Sequence, residues 1–200
     1  MSQTVIFEAT PNPQAMKFII TDRLISSESA NFTNAQDSLR SPLARKLFGF
    51  PWASGVFIGS NFVTVTKQAW VDWQVLAEPL ANLIEEHVIS GETILLPKVA
   101  ASEASSETTT NNVKSNDSLS ASAEDSPVVA QIKQILENEI RPAVAMDGGD
   151  ISFYKYEDQK VYLEMQGSCS GCPSAAMTLK DGIEARLRQA IPEIQEVVSI

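Results

Sequence analysis

Large apolar residues gather in two stretches of this chain, separated by one long polar gap. Val5 to Phe7 and Ala15 to Ile20 are short apolar runs, and Thr10-Pro11-Asn12-Pro13 between them has the composition of a turn. Ser41-Pro42 predicts the start of a short helix through Phe48, because serine caps orphan amides and proline suits the first helical position. Gly55 to Ile58 and Phe62 to Thr66 flank Gly59-Ser60-Asn61, the pattern of a β-hairpin. From Asp72, Trp73, Leu76, Leu80, Leu83, Ile84, His87 and Val88 form one helical stripe that Gly91 ends. This stretch reads as a small α+β domain.

The second stretch opens with Ser126-Pro127, again a capped helix start, and Val128, Ile132, Ile135, Leu136 and Ile140 supply its apolar face. Pro142 should kink or end that helix. Asp147-Gly148-Gly149-Asp150 is a turn. Ile151 to Tyr156 and Lys160 to Gln166 read as a hairpin, with Val161, Leu163 and Met165 alternating against Tyr162 and Glu164. A cysteine loop, Gly167 to Cys172, precedes a helix that starts at Pro173 and carries Ala176, Leu179, Ile183 and Leu187; Ile194 to Ile200 makes a last strand. The order is α-β-β-α-β, a small sheet covered by two helices. The fold class is therefore α+β, as two small sandwich-like domains.

Between them the chain turns to serine, threonine, asparagine and acid, with Val113 and Leu119 as its isolated large apolar residues. Such a segment buries too little apolar surface to offset its chain entropy and reads as a flexible, acidic Ser/Thr-rich linker. The expected division is 1–97 for the N-terminal domain, 98–125 for the linker and 126–200 for the C-terminal domain.

Charge narrows the partners. A net charge of −10 with no Lys/Arg-rich stripe repels phosphate backbones, so nucleic acid is not expected. No apolar run approaches the ~20 residues of a spanning helix, so no membrane partner is expected. Met1-Ser2-Gln3-Thr4 leads straight into an apolar run without secretory or Arg-rich presequence features, which gives a cytoplasmic expectation. No Ser/His/Asp arrangement, phosphate-cradling loop or carboxylate pair stands out, so turnover of a small substrate is not expected.

The candidate chemistry is one thiol pair. The chain has two cysteines, Cys169 and Cys172, in Gly167-Ser168-Cys169-Ser170-Gly171-Cys172-Pro173. Two intervening residues let both sulfurs face one point, and the helix start beside Cys172 favours thiolate over thiol. A zinc ribbon needs about four ligands, usually two such pairs, and the one histidine, His87, belongs to the other domain. A zinc half-site shared between chains and a thioredoxin-like dithiol remain readings of the same residues. Spacing alone leaves metal binding and redox exchange both open. Elsewhere, His87, Met146 and Met165 are expected in cores, Trp52, Trp70 and Trp73 in packing or interfaces, and Asp147 and Asp150 in turn chemistry.

Larger motifs tip the balance. Ile132 through Arg141-Pro142, Met146-Asp147-Gly148-Gly149-Asp150, Gly167 to Ser174 with its GxCxGCP pattern, and Gly182-Ile183-Glu184 resemble the NifU-type C-terminal domain. Thr10 to Pro13 with Met16-Lys17-Phe18, Ser41 to Ala44 with Leu47-Phe48, and Val56 to Gly59 through Val63 to Lys67 resemble the N-terminal domain of Nfu proteins. The resemblance implies an iron–sulfur cluster scaffold or carrier, a binding function and not an enzyme. Cys169 and Cys172 would hold a cluster, 4Fe–4S by the resemblance with 2Fe–2S left open, and release it to apo-protein clients within a cluster-assembly machinery. A cluster takes about four cysteine ligands and this chain offers two, so a homodimer bridged by the cluster is expected.

Overall fold

The computed structural model describes residues 4–26, 28–96, 126–170 and 173–200, with backbone alone at 173–175. The expected linker, 98–125, lies outside the described residues, as do Gly171 and Cys172. The described residues form two α+β units, each with its own sheet and its own hydrophobic core.

The N-terminal unit runs β1 (Val5–Ala9), β2 (Ala15–Ile20), β3 (Ala30–Phe32), α1 (Pro42–Phe48), β4 (Ala53–Ile58), β5 (Phe62–Lys67) and α2 (Trp73–Ser90). Its strands lie in the order β1-β2-β5-β4-β3, antiparallel throughout. The capping expected at Ser41 is present: its hydroxyl accepts from the Ala44 amide at 3.0 Å and donates to the Ile94 carbonyl at 2.6 Å. Alternation along the strands then separates two faces. Phe18, Ile20, Val56, Ile58, Val63 and Val65 pack with Leu43, Leu47, Leu80 and Ile84 from the helices. Each such fully buried side chain contributes about 1.5–3 kcal/mol. The opposite face carries Lys17, Thr64 and Phe57, aligned across β2, β5 and β4. All three are buried, yet no helix of this unit covers them through the core just described.

The C-terminal unit runs α3 (Pro127–Ile135), a π-helical turn (Leu136–Ile140), α4 (Arg141–Met146), β6 (Gly149–Glu157), β7 (Lys160–Gly167), α5 (Pro173–Ala190) and β8 (Glu196–Ser199). β6 pairs antiparallel with β7, and β8 adds parallel to β7. Pro142 shapes the first helical run without ending it. Proline offers no amide to the residue four back, and the chain answers with a wide π turn ahead of it before α-helix resumes. Ser126 stands at the N-cap but makes no side-chain capping bond, and Val129 is buried where Val128 is only partly so. Asp158 and Gln159, both at positive φ, close the β6–β7 hairpin as a type I′ turn does.

Met165 is in the core as expected, whereas Met146 is 76% exposed at the end of α4. Trp52 is buried, but Trp70 is exposed. Core histidine holds for His87, although its Nε2 finds no partner among the described residues. No described helix is long and apolar enough to cross a membrane.

Candidate functional site

Cys169 sits one residue beyond the loop start at Ser168, where β7 ends at Gly167, and its side chain joins the hydrophobic core of the C-terminal unit at 6% exposure. Two glycine turns flank its loop, and Gly149 lies against its sulfur. Gly148 at φ +80° ends α4, and Gly167 at φ +69° ends β7; both occupy the left-handed region that side-chain-bearing residues rarely adopt. They lie against each other, since a Cβ on Gly167 would come 2.7 Å from the Gly148 carbonyl oxygen. Ser168 stitches the turns together: its amide donates to the Gly148 carbonyl at 3.2 Å and its hydroxyl to the Asp147 carbonyl. Gly149 pairs with Gly167 across the hairpin. The DGGD and cysteine-loop motifs, nearly twenty residues apart in sequence, are thus two halves of one cradle around the Cys169 sulfur.

Its electrostatics oppose an activated thiolate. Burial pushes the Cys169 thiol up to about 11, and Asp147 and Asp150 add to the rise while the Ser168 hydroxyl offsets part of it. The thiolate-favouring environment expected beside Cys172 concerns a residue outside the described set. At Cys169 burial disfavours the thiolate that disulfide exchange and metal ligation both require.

Asp150 is not free to ligate a cation. Arg141 grips Asp150 with its Nε and Nη2, each donating at 2.8 Å to a different carboxylate oxygen, and also pairs with Glu137 at 2.7 Å. Burial alone would raise the Asp150 carboxyl. Hydrogen bonds from Arg141, Ser29 and the Ile151 amide outweigh it and hold the group below its ordinary value. Arg141 is correspondingly raised by Asp150. Among the described residues, no three His, Cys, Asp or Glu side chains converge into a metal site. A cavity of about 650 Å³ lies between α4 and α5, lined by Ile140, Val144, Leu179 and Ile183, with Asp147 at its edge and Cys169 not among its walls.

The N-terminal unit also reaches the cradle, through residues the sequence left unassigned. Lys17 Nζ donates to the carbonyls of Ala145 at 2.8 Å and Met146 at 3.2 Å. Thr64 donates to the Gly148 carbonyl at 2.6 Å, and Asn12 Nδ2 to the Ser168 carbonyl at 3.2 Å. Their sequence signals were a lysine inside the apolar run Ala15 to Ile20 and the place of all three within the stretches that resemble the Nfu N-terminal domain.

Fold and site together define a two-unit α+β protein whose C-terminal unit closes a DGGD motif over a cysteine loop. The chain belongs to the NifU-like family of iron–sulfur cluster scaffolds: residues 132–198 match the NifU-like domain, and residues 5–91 match the domain described as scaffold protein Nfu/NifU N terminal. It is 37% identical over 192 residues to human NFU1 iron-sulfur cluster scaffold homolog, mitochondrial, covering 96% of this chain and 69% of that one. It is 38% identical over 192 residues to NifU-like protein 4, mitochondrial, of Arabidopsis thaliana, covering 95% of this chain and 63% of that one. The solution structure of a NifU-like protein from Saccharomyces cerevisiae aligns with a TM-score of 0.43 at 27% identity, over 49% of this chain and 91% of that one.

These relatives correct the cytoplasmic expectation, since the human and Arabidopsis proteins are mitochondrial. The physical reason is that a folded domain packs and solvates the same way on either side of an organellar membrane. Its composition therefore carries no address.

Proposed function

We propose that this protein holds an iron–sulfur cluster as cargo on Cys169 and Cys172 and delivers it to apo-proteins, in a mitochondrial setting. The observation that carries the reading is the cradle: two glycine turns hold Cys169 at the strand end that leads directly into the loop of the second thiol. Soft thiolates select iron–sulfur clusters over hard cations. With about four ligands needed and two thiols per chain, the cluster is shared between two chains, each giving both sulfurs. A cluster held at such a seam is reachable by a client, which suits transfer better than storage or electron transport. The cargo is 4Fe–4S by the family resemblance. The chain is a carrier without turnover, and residues 1–97 and 126–200 act as separate units joined by 98–125.

Transfer is the test. Anaerobically loaded protein, mixed with a cysteine-ligated apo-ferredoxin, should lose its visible absorption as the acceptor gains its own spectrum and activity. Transfer no faster than from free iron and sulfide at equal concentration would refute the carrier function.

A further inference from the structure

The sheet face of the N-terminal unit that carries Lys17, Thr64 and Phe57 has no helix of its own over it, yet these residues are between 1% and 9% exposed. What covers them is the cysteine cradle. Lys17 holds two carbonyls at the end of α4, where the helix dipole and unpaired carbonyls favour a cation. Its ammonium also lies 4.7 Å from the centre of the Phe62 ring on the same face. Thr64 takes the Gly148 carbonyl, and Asn12, itself buried, takes that of Ser168. A Cβ on Gly148 would lie 2.9 Å from Thr64 Oγ1, and one on Gly167 3.0 Å from the Phe57 ring, so both glycine turns are pressed onto this face.

The N-terminal unit therefore grips both backbone segments that flank the Cys169 loop, and it does so through main-chain carbonyls. The contact is also loosely packed at its edges. One cavity of about 360 Å³ opens between Phe57 and Phe62 on one side and Arg141, Ala145 and Gly149 on the other; a second of about 350 Å³ opens between Asn12, Phe57 and Gly167. The contact is made through polar groups, the character of inter-domain surfaces that move relative to one another.

We propose that this face is a docking surface for the cysteine cradle of the same chain, and that the docked form is its closed, unloaded state. The inference rests on the carrier reading for its purpose. A sulfur that ligates a cluster shared with a second chain must leave the core position it occupies here, and the turns over it are held down by Lys17, Thr64 and Asn12. Undocking frees the turns, and docking holds the thiol in that core position between transfers.

The test is the rate at which N-ethylmaleimide modifies Cys169 in the full-length, cluster-free chain, read by peptide mass spectrometry. Lys17→Met combined with Thr64→Val should raise that rate by about fivefold or more, since local opening becomes easier, and Asn12→Ala alone by about twofold. Amide exchange across Ile183–Leu187 should stay slow in both variants, showing an intact C-terminal core. Unchanged modification in both variants would overturn the proposal. So would a rise accompanied by lost protection across Ile183–Leu187, which would make these residues supports of folding. If the double variant does not fold, Asn12→Ala decides alone. The readout needs neither iron nor sulfide: a chain that gates Cys169 but never takes up a cluster would refute the carrier function and leave the gate standing.

Discussion

Gly149 lies against Cys169 so closely that a Cβ at this position would sit 2.5 Å from the sulfur and 2.7 Å from the Gln166 carbonyl oxygen. The second glycine of the DGGD motif is thus there for space. Gly149→Ala should force the sulfur or the β6–β7 pairing to shift, lowering the stability of the C-terminal unit by about 1–3 kcal/mol. Urea unfolding of the full chain, followed by amide exchange in β6 and β7, would measure it. An unchanged transition would mean that the turn relaxes freely.

Asp150 gives the C-terminal unit a pH-dependent component. Its carboxyl is held below the ordinary value of 3.8 in the folded state, so it contributes stability above that pH and the contribution is lost as pH falls through the lower, folded pKa. Arg141 is partly exposed, which reduces the worth of the pair through solvent screening. Asp150→Asn should cost about 1–2 kcal/mol at pH 7. The gap between wild type and variant should narrow as pH falls below about 4. Denaturant curves at pH 7, 5 and about 2.5 would show this convergence, and a gap independent of pH would remove the ion pair from the explanation.

Ser41 ties α1 to the segment after α2, because one hydroxyl caps the helix and also donates to the Ile94 carbonyl. Ser41→Ala removes both bonds in a fully buried position and should cost the N-terminal unit about 1–2 kcal/mol. Thermal unfolding should register the loss, while amide exchange in α5 stays as in wild type. A loss that spread to α5 would show the two units unfolding as one.

Elements built from long periodic runs were legible in the sequence: α2, the β6–β7 hairpin and α5 all stand where alternation or helical spacing put them. β3 was not, because Ala30–Phe32 is too short to carry a period and exists through its pairing with β4. The π turn at Leu136–Ile140 was hidden as well. Proline announces a disturbance but not whether the helix stops or widens. At the site, Cys169 was legible by chemistry and the turn at Asp147-Gly148 by composition, but Gly149 and Asp150 belong to β6 and not to that turn, and the union of the two motifs into one cradle was not legible. It depends on two positive-φ glycines meeting through Ser168, which no local pattern encodes. Docking by Lys17, Thr64 and Asn12 was hidden for the same reason, since single polar residues far apart in sequence share a face only once the sheet has formed.

The central claim is that two chains share one cluster through Cys169 and Cys172. Anaerobic reconstitution with iron and sulfide, with bound iron, bound sulfide and native mass determined on the same sample, tests it most directly. A brown dimer with one cluster per two chains is expected, lost in both Cys169→Ala and Cys172→Ala. One cluster per monomeric chain without external thiols, or a cluster retained after Cys169→Ala, would contradict it.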